Sequence, residues 1–306
     1  MRRSGIEGAL ALVAVFALVA STCGGGPSTP GPTRTAPVAT DPSETPDLLT
    51  EIRARGLIRV ATDPRYAPQS SLNRETGEWE GFDVDVAREI ADRLDVDLEI
   101  QDRDWTVVSG GGWNDQWDMS VGSMPVTDEG SEVFSFSPAY YYTPAAVVVH
   151  IDNTSVRNVA TDLDGKTICV RGSTTYESYL LGNLRLVESA PEFEFVVDDP
   201  KIKTSTTDGA VLNALALGDG LECDAAIVGR PTVQKYLSEH GTNLKVVGEA
   251  LYHEPLAIAF DRSSGFDDAS LVRAIGRIVE AMHADGTLSE LSVKWYGVDL
   301  TTTSSG

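Results

Sequence analysis

The chain has 306 residues, 46 Asp plus Glu against 24 Lys plus Arg, and a net charge of −22. That balance repels a phosphate backbone and an anionic lipid surface, and no run of Lys or Arg forms a counter-patch, so nucleic acid is not expected as a partner. With 42% hydrophobic residues the chain can bury a core of about two domain-sized units, whereas three cysteines cannot build a disulfide scaffold.

Met1-Arg2-Arg3 precedes an apolar run, Ala9 to Ala20, of 12 residues. A membrane span needs about 20, so residues 1–22 read as a secretory signal. Residues 23–47 are rich in Gly, Pro, Ser and Thr. Such a stretch cannot offset its ordering entropy and is expected to be a disordered tether. The order of apolar run, small residues, Cys23 and tether resembles a bacterial lipoprotein signal, which implies that Cys23 is lipidated. It departs from that pattern in having Ala20 and Thr22 where Leu and Gly or Ala are usual. Plain secretion is the alternative, and either way the protein works outside the cytoplasm. Loss of the signal removes Arg2, Arg3 and Glu7, so the exported part carries a net charge of −23.

From Leu48 onward, short apolar runs alternate with helical periodicity. Residues 57–61 are strand-like, Val86, Ala87, Ile90, Ala91 and Leu94 fall on one helical stripe, and 98–100 is extended again, which is a β-α-β start. Strands are then expected over 145–149, 166–170 and 193–197, followed by a helix through Leu212, Leu215 and Leu217 and a strand over 224–228. A helix opened by Pro231, the strand LKVV, a strand over 256–260 and a long helix striped by Leu271, Ile275, Val279 and Met282 complete the pattern. The alternation predicts an α/β protein with mainly parallel sheets. Cys169 and Cys223 flank strand-like runs of the same middle segment in an oxidising compartment. A bridge between them is expected, with two buried thiols as the alternative.

Residues 105–117 hold three of the five tryptophans and three consecutive glycines, and Tyr140, Tyr141 and Tyr142 follow. Aromatics on Gly-rich backbone suit either a pocket that stacks flat ligand groups or a small apolar core propping a loop. His150, His240, His253 and His283 are scattered, Glu177 reads as a first-turn helix charge, and no His or Cys cluster offers a metal site. No metal or cofactor is expected.

The runs GLIRVATDPRYAP and GEWEGFDVDVAREIADRL, then WDMSVGSMPVTDEGSEVFSFSPAYYYTPA, LDGKTICVRGSTTYESYL, ALALGDGLECDAAIVGRP and DGTLSELSVKWYG, resemble the extracytoplasmic solute-binding proteins of family 3. That resemblance spans about residues 48–298. It implies a two-lobe periplasmic-binding-protein type II fold with two hinge crossovers, lobe 1 being 48–146 plus 250–306 and lobe 2 being 147–249. It also implies a monomeric receptor that closes on a small polar solute, an amino acid or related organic acid, and delivers it to an ABC permease. The membrane is then met only through the N-terminal lipid. A cyclohexadienyl dehydratase-like enzyme and a ligand sensor are the alternatives on the same fold.

Carried over by motif, Asp63 and Tyr66 match the polar and aromatic positions of the first loop, and Trp105 matches the wall opposite that Tyr. Gly122, Ser123 and Met124 match the extended segment beside the ligand head, Thr127 the motif hydroxyl, and Ser173 and Thr174 the lobe 2 loop. Asp63, Thr127 and Ser173 also suit helix capping. Two positions depart: Gly130 stands where the family has a carboxylate-clamping Arg, and Gly229 where it has an ammonium-binding Asp. Arg171, Arg230 and Arg65 are the candidate substitute cations. A pocket that lost the Asp and kept arginines suggests an anionic or neutral solute, or an amino acid held in a shifted pose with Asp63 on its ammonium.

Overall fold

The computed structural model describes residues 45–241 and 243–303. The signal, Cys23 and nearly all of the expected tether lie outside the described residues. Asp47, at the end of the expected tether, caps the first helix, its carboxylate accepting from the Thr50 amide at 2.7 Å. Pro46 also accepts from the Asp267 amide at 2.9 Å.

That helix, Leu48–Arg55 (α1), ends at Gly56 in the left-handed region at φ 67° and turns into Leu57–Thr62 (β1). A small antiparallel sheet follows, Arg65–Tyr66 (β2), Ser70–Leu72 (β3) and Trp79–Glu80 (β4). Then come Phe82–Leu94 (α2), Asp97–Asp102 (β5), Trp105–Val108 (α3), Met119–Pro125 (β6), Asp128–Val133 (α4) and Phe134–Phe136 (β7). Tyr141–His150 (β8) leads into Thr167–Arg171 (β9), Thr175–Leu180 (α5), Lys201–Ser205 (β10), Asp208–Ala216 (α6), Ala225–Gly229 (β11), Arg230–His240 (α7) and Leu244–Val247 (β12). His253–Asp261 (β13) returns, followed by Ala269–Ala284 (α8) and Thr287–Tyr296 (α9).

One sheet runs β10-β9-β11-β8-β13-β6-β1-β5, with β12 on β8 and β7 on β13. β1 is parallel to β5 and β6, and β9 is parallel to β10 and β11, as helical crossovers require. The two long strands β8 and β13 lie antiparallel to each other. The far end of β8 pairs with β11 and β12, and the far end of β13 pairs with β6 and β7, so this strand pair joins two halves.

Each half has its own core. Ile52, Phe82, Ile90, Ile258, Phe260 and Ile275, all fully buried, centre the first. Ile168, Ile227 and Tyr179 pack on one face of the second half's strands, and Cys169, Leu212 and Val228 on the other. Burying one Ile or Phe side chain contributes about 1.5–3 kcal/mol. Cys169 and Cys223 are disulfide-bonded across that second face, with Cα atoms 5.9 Å apart.

Two elements differ from expectation. Residues 193–197 form no strand, since the Tyr179 hydroxyl donates to the Glu194 carbonyl at 2.9 Å and accepts from the Val196 amide at 3.0 Å in place of a ladder partner. Phe193 and Phe195 pack on the Tyr179 ring, and the strand forms at β10 instead. Gly122, Ser123 and Met124, expected as an extended loop, belong to β6, a buried strand between β13 and β1.

Candidate functional site

The ends of β1, β6 and β9 and the starts of α3, α5 and α6 converge beside the β8–β13 pair. Ligands in open α/β sheets bind at such strand ends. Here lies a small pocket lined by Tyr66, Trp105, Ser123, Pro125, Arg171, Thr174, Thr175, Tyr176, Asp208 and Glu254, most of them buried residues. Residues of both halves contribute to it.

At its centre is Arg171, at the end of β9 and 3% exposed. Its guanidinium lies 5.7 Å from the Tyr66 ring centre and 5.5 Å from that of Trp105, within cation–π range of both. Its Nη2 donates to Asp63 Oδ2, and its Nη1 reaches Asp208 Oδ2 at 3.4 Å. Burial works against the charge of Arg171, and Asp208 and Asp63 more than offset it, so its pKa is raised. Asp63 belongs to the first half and Asp208 to the second, so this guanidinium ties the two together. Trp105 Nε1 donates to the Ser173 carbonyl at 2.8 Å, and the Val187 amide to the Val126 carbonyl at 3.3 Å, closing the same cleft.

Ser123 holds its place through a buried network. Its hydroxyl donates to Asp83 Oδ2 at 2.7 Å and lies 2.6 Å from the Tyr141 hydroxyl, and its amide donates to the Tyr140 hydroxyl at 2.9 Å. Tyr140 donates in turn to Asp83 Oδ1 at 2.7 Å. Burial raises the Asp83 carboxyl to about 7, against the pull of the Tyr140 and Ser123 bonds. Glu254, on β13, is raised to about 8 by burial, opposed by the Tyr176 hydroxyl at 3.2 Å and reinforced by Asp208. Asp208 is itself raised by burial, opposed by Arg171.

The remaining residues marked by sequence sort as follows. Thr127 caps α4, accepting from the Gly130 amide at 2.9 Å, and with Met124, Gly130, Ser173 and Thr174 lines a wider opening beyond Trp105, about 1260 Å³ with its mouth. Ser173 is exposed and its amide donates to Glu177 at 2.8 Å, while Thr174 donates to the Arg171 carbonyl at 2.6 Å. Gly122 faces Ser120 and Thr62 inside the sheet and does not line the cavity. Arg230 starts α7 and does not line the cavity either. Arg65 is half-exposed and paired with Asp104 and Asp63. None of the three expected arginines is free in the cavity: Arg171 is held by two carboxylates, Arg65 is paired with Asp104 and Asp63, and Arg230 does not line it. Of the tryptophan loop, only Trp105 reaches the cavity. Trp113 and Trp117 form a small core with Phe134, their ring centres 5.3 Å apart, and Tyr140 and Tyr141 are buried against Phe82.

Gly229 marks where sequence reading expected a lost carboxylate. A Cβ there would meet the Thr143 methyl at 2.8 Å and the Tyr176 hydroxyl at 3.1 Å, so the space is filled. Asp208, Glu254 and Tyr176 were not marked by sequence, since no spacing links them to Arg171 and only the topology brings them together. Among the described residues no group of His, Cys, Asp or Glu is placed to hold a metal ion, and no helix is long and apolar enough to cross a membrane.

The profile of the bacterial extracellular solute-binding proteins, family 3, matches residues 58–298. The chain belongs to that family. Among similar members, the L-cystine-binding protein TcyJ of Escherichia coli K12 is 26% identical over 254 residues, covering 83% of this chain and 88% of its own. The crystal structure of the ancestral amino acid-binding protein AncCDT-1, a precursor of cyclohexadienyl dehydratase, aligns with a TM-score of 0.67 at 25% identity, over 81% of this chain and 99% of that one. An ancestral arginine-binding protein bound to glutamine aligns at 0.65 and 26% identity, over 79% and 99%. The mixed α/β binding-protein fold of this family 3 member, with its two crossover strands β8 and β13, is thus the fold of solved amino acid-binding proteins.

Proposed function

We propose that this chain is the extracytoplasmic receptor of an amino acid ABC importer, anchored by a lipid on Cys23 and working as a monomer. The observation that carries the reading is the small pocket beside β8 and β13, lined from both halves. Relatives named for cystine, histidine and arginine binding support the amino acid class. On this reading lobe 1 is 48–146 plus 250–306 and lobe 2 is 147–249, and they rotate about the crossover strands. A solute touching both stabilises the closed form by its differential contacts, and that form docks on the permease.

A free organic acid has weaker support than an amino acid. Among the described residues Arg171 is the one cation lining the cavity, and it is already paired with Asp63 and Asp208. A thermal-shift panel of L-amino acids, cystine, dicarboxylates and sugars tests the reading. At least one amino acid should raise the Tm, and stabilisation by carboxylates or sugars alone would refute it.

A further inference from the structure

The charges around the cavity do not balance. Arg171 supplies one guanidinium, and Asp63, Asp208 and Glu254 supply three carboxyl groups, each at most 4% exposed. Asp63 holds Nη2 of that guanidinium and shares it with Asp208, whose Oδ2 lies 3.4 Å from Nη1. The other oxygen of Asp208, Oδ1, is buried with no hydrogen-bond partner. Glu254 receives one long hydrogen bond, from the Tyr176 hydroxyl at 3.2 Å, and among the described residues no cation lies within ion-pair range. Both residues line the cavity. A buried carboxyl oxygen without a partner is costly, and the group that satisfies Asp208 Oδ1 and the weakly held Glu254 carboxyl at once is a compact donor carrying positive charge.

We propose that Asp208 and Glu254 form a cation subsite that receives a primary ammonium group of the bound solute. This rests on the receptor reading above and names the half of the solute that the cavity recognises by charge. The location is new relative to the motif: position 229 is closed by the Thr143 methyl and the Tyr176 hydroxyl, and that same hydroxyl points its proton to Glu254. Ammonium recognition has moved from the end of β11 to the start of α6 and the crossover strand β13. A guanidinium or quaternary ammonium fits less well, since Arg171 already fills the space between Tyr66 and Trp105.

Glu254 is surrounded by Tyr176 from α5, Asp208 from α6, Arg171 from β9, and Tyr66 and Tyr252, with His253 and Arg230 beyond. Burial and Asp208 keep it protonated near neutrality, so an arriving ammonium expels its proton.

The test is titration calorimetry of the full chain against each L-amino acid, its N-acetyl derivative, putrescine, ethanolamine and succinate, in two buffers of different ionisation enthalpy at pH 7. The proposal expects binding of a free amine, at least a tenfold loss on N-acetylation, and at least a tenfold loss in Asp208→Asn. It also expects proton release on binding that disappears in Glu254→Gln, a readout that a folding defect would not mimic in a variant that still binds. Equal affinity for an N-acetyl form or for succinate overturns the cation subsite and leaves the receptor standing, as do variants that bind within twofold of the parent with unchanged proton release. Binding of putrescine or ethanolamine without any amino acid supports the subsite and overturns the amino acid reading. Silence across the whole panel overturns both.

Discussion

Replacing Arg171 with Met should cost this protein about 3–5 kcal/mol at pH 7, the range for removing one partner of a buried ion pair. The magnitude follows from the surroundings: the side chains of Arg171, Asp63 and Asp208 are each 4% exposed, so neither carboxylate can recover its charge balance from solvent. Met keeps most of the apolar volume between Tyr66 and Trp105, so the loss isolates charge from packing, apart from two cation–π contacts of about 0.5–2 kcal/mol each. Urea denaturation at pH 7 and pH 4.5 measures it. Burial pushes the Asp208 carboxyl up, and protonating it removes uncompensated charge, so the penalty should shrink as pH falls. Because Asp63 and Asp208 sit on opposite halves, the variant should also open, with a larger radius of gyration by X-ray scattering. A loss under about 1 kcal/mol, or one that is the same at both pH values, would refute the view that Arg171 is a cross-cleft tie between two carboxylates.

Three further outcomes are expected. The Asp83 carboxyl lies near 7 in the fold against 3.8 when exposed, so its protonated form is favoured by folding and stability should fall as pH rises from about 4 to about 7, then level off. Up to about 4 kcal/mol is at stake, and Asp83→Asn should flatten that part of the pH–stability curve followed by thermal melts, leaving the part due to Glu254. Gly229→Asp should destabilise by about 1–3 kcal/mol through overpacking against Thr143 and Tyr176, and a second change, Thr143→Ala, should restore part of it. Removing the Cys169–Cys223 bridge, which closes a separation of 54 residues, should lower stability by up to about 4 kcal/mol by loop-closure entropy, seen as a fall in urea midpoint.

Much of the fold was legible because its strands are short buried runs and its helices carry one apolar stripe, as in β1, α2, β12 and α8. The failures have local causes. Phe193 to Val197 alternates like a strand, but a tyrosine hydroxyl from α5 satisfies its backbone. β6 contains Gly122, Ser123 and Pro125, poor strand formers, and is a strand because β13 and β1 flank it. In the cavity, Tyr66, Trp105, Ser123 and Thr174 could be read from motif positions, and Arg171 as a candidate cation beside them. Asp208 and Glu254 could not: one looks like a first-turn helix acid and the other like a surface charge before Pro255, until a crossover strand places them on one cavity. Counting arginines near the cleft misled for the same reason, since their number says nothing of which carboxylates already hold them.

The strands that cross between the halves, β8 and β13, pair with each other over only four residue positions each, and two of those eight residues are Pro144 and Pro255. A proline brings no amide hydrogen to a ladder. Both prolines stand where the backbone faces away from the partner strand, since the Tyr142 amide opposite Pro255 donates to the Leu300 carbonyl instead, so the join keeps its own bonds and the prolines withhold a donor only from its outer edges. Glu254 sits opposite Thr143 in the middle of that stretch. A solute that grips Glu254 would thus hold a strand that both halves share, so recognition and the join between them fall on one residue.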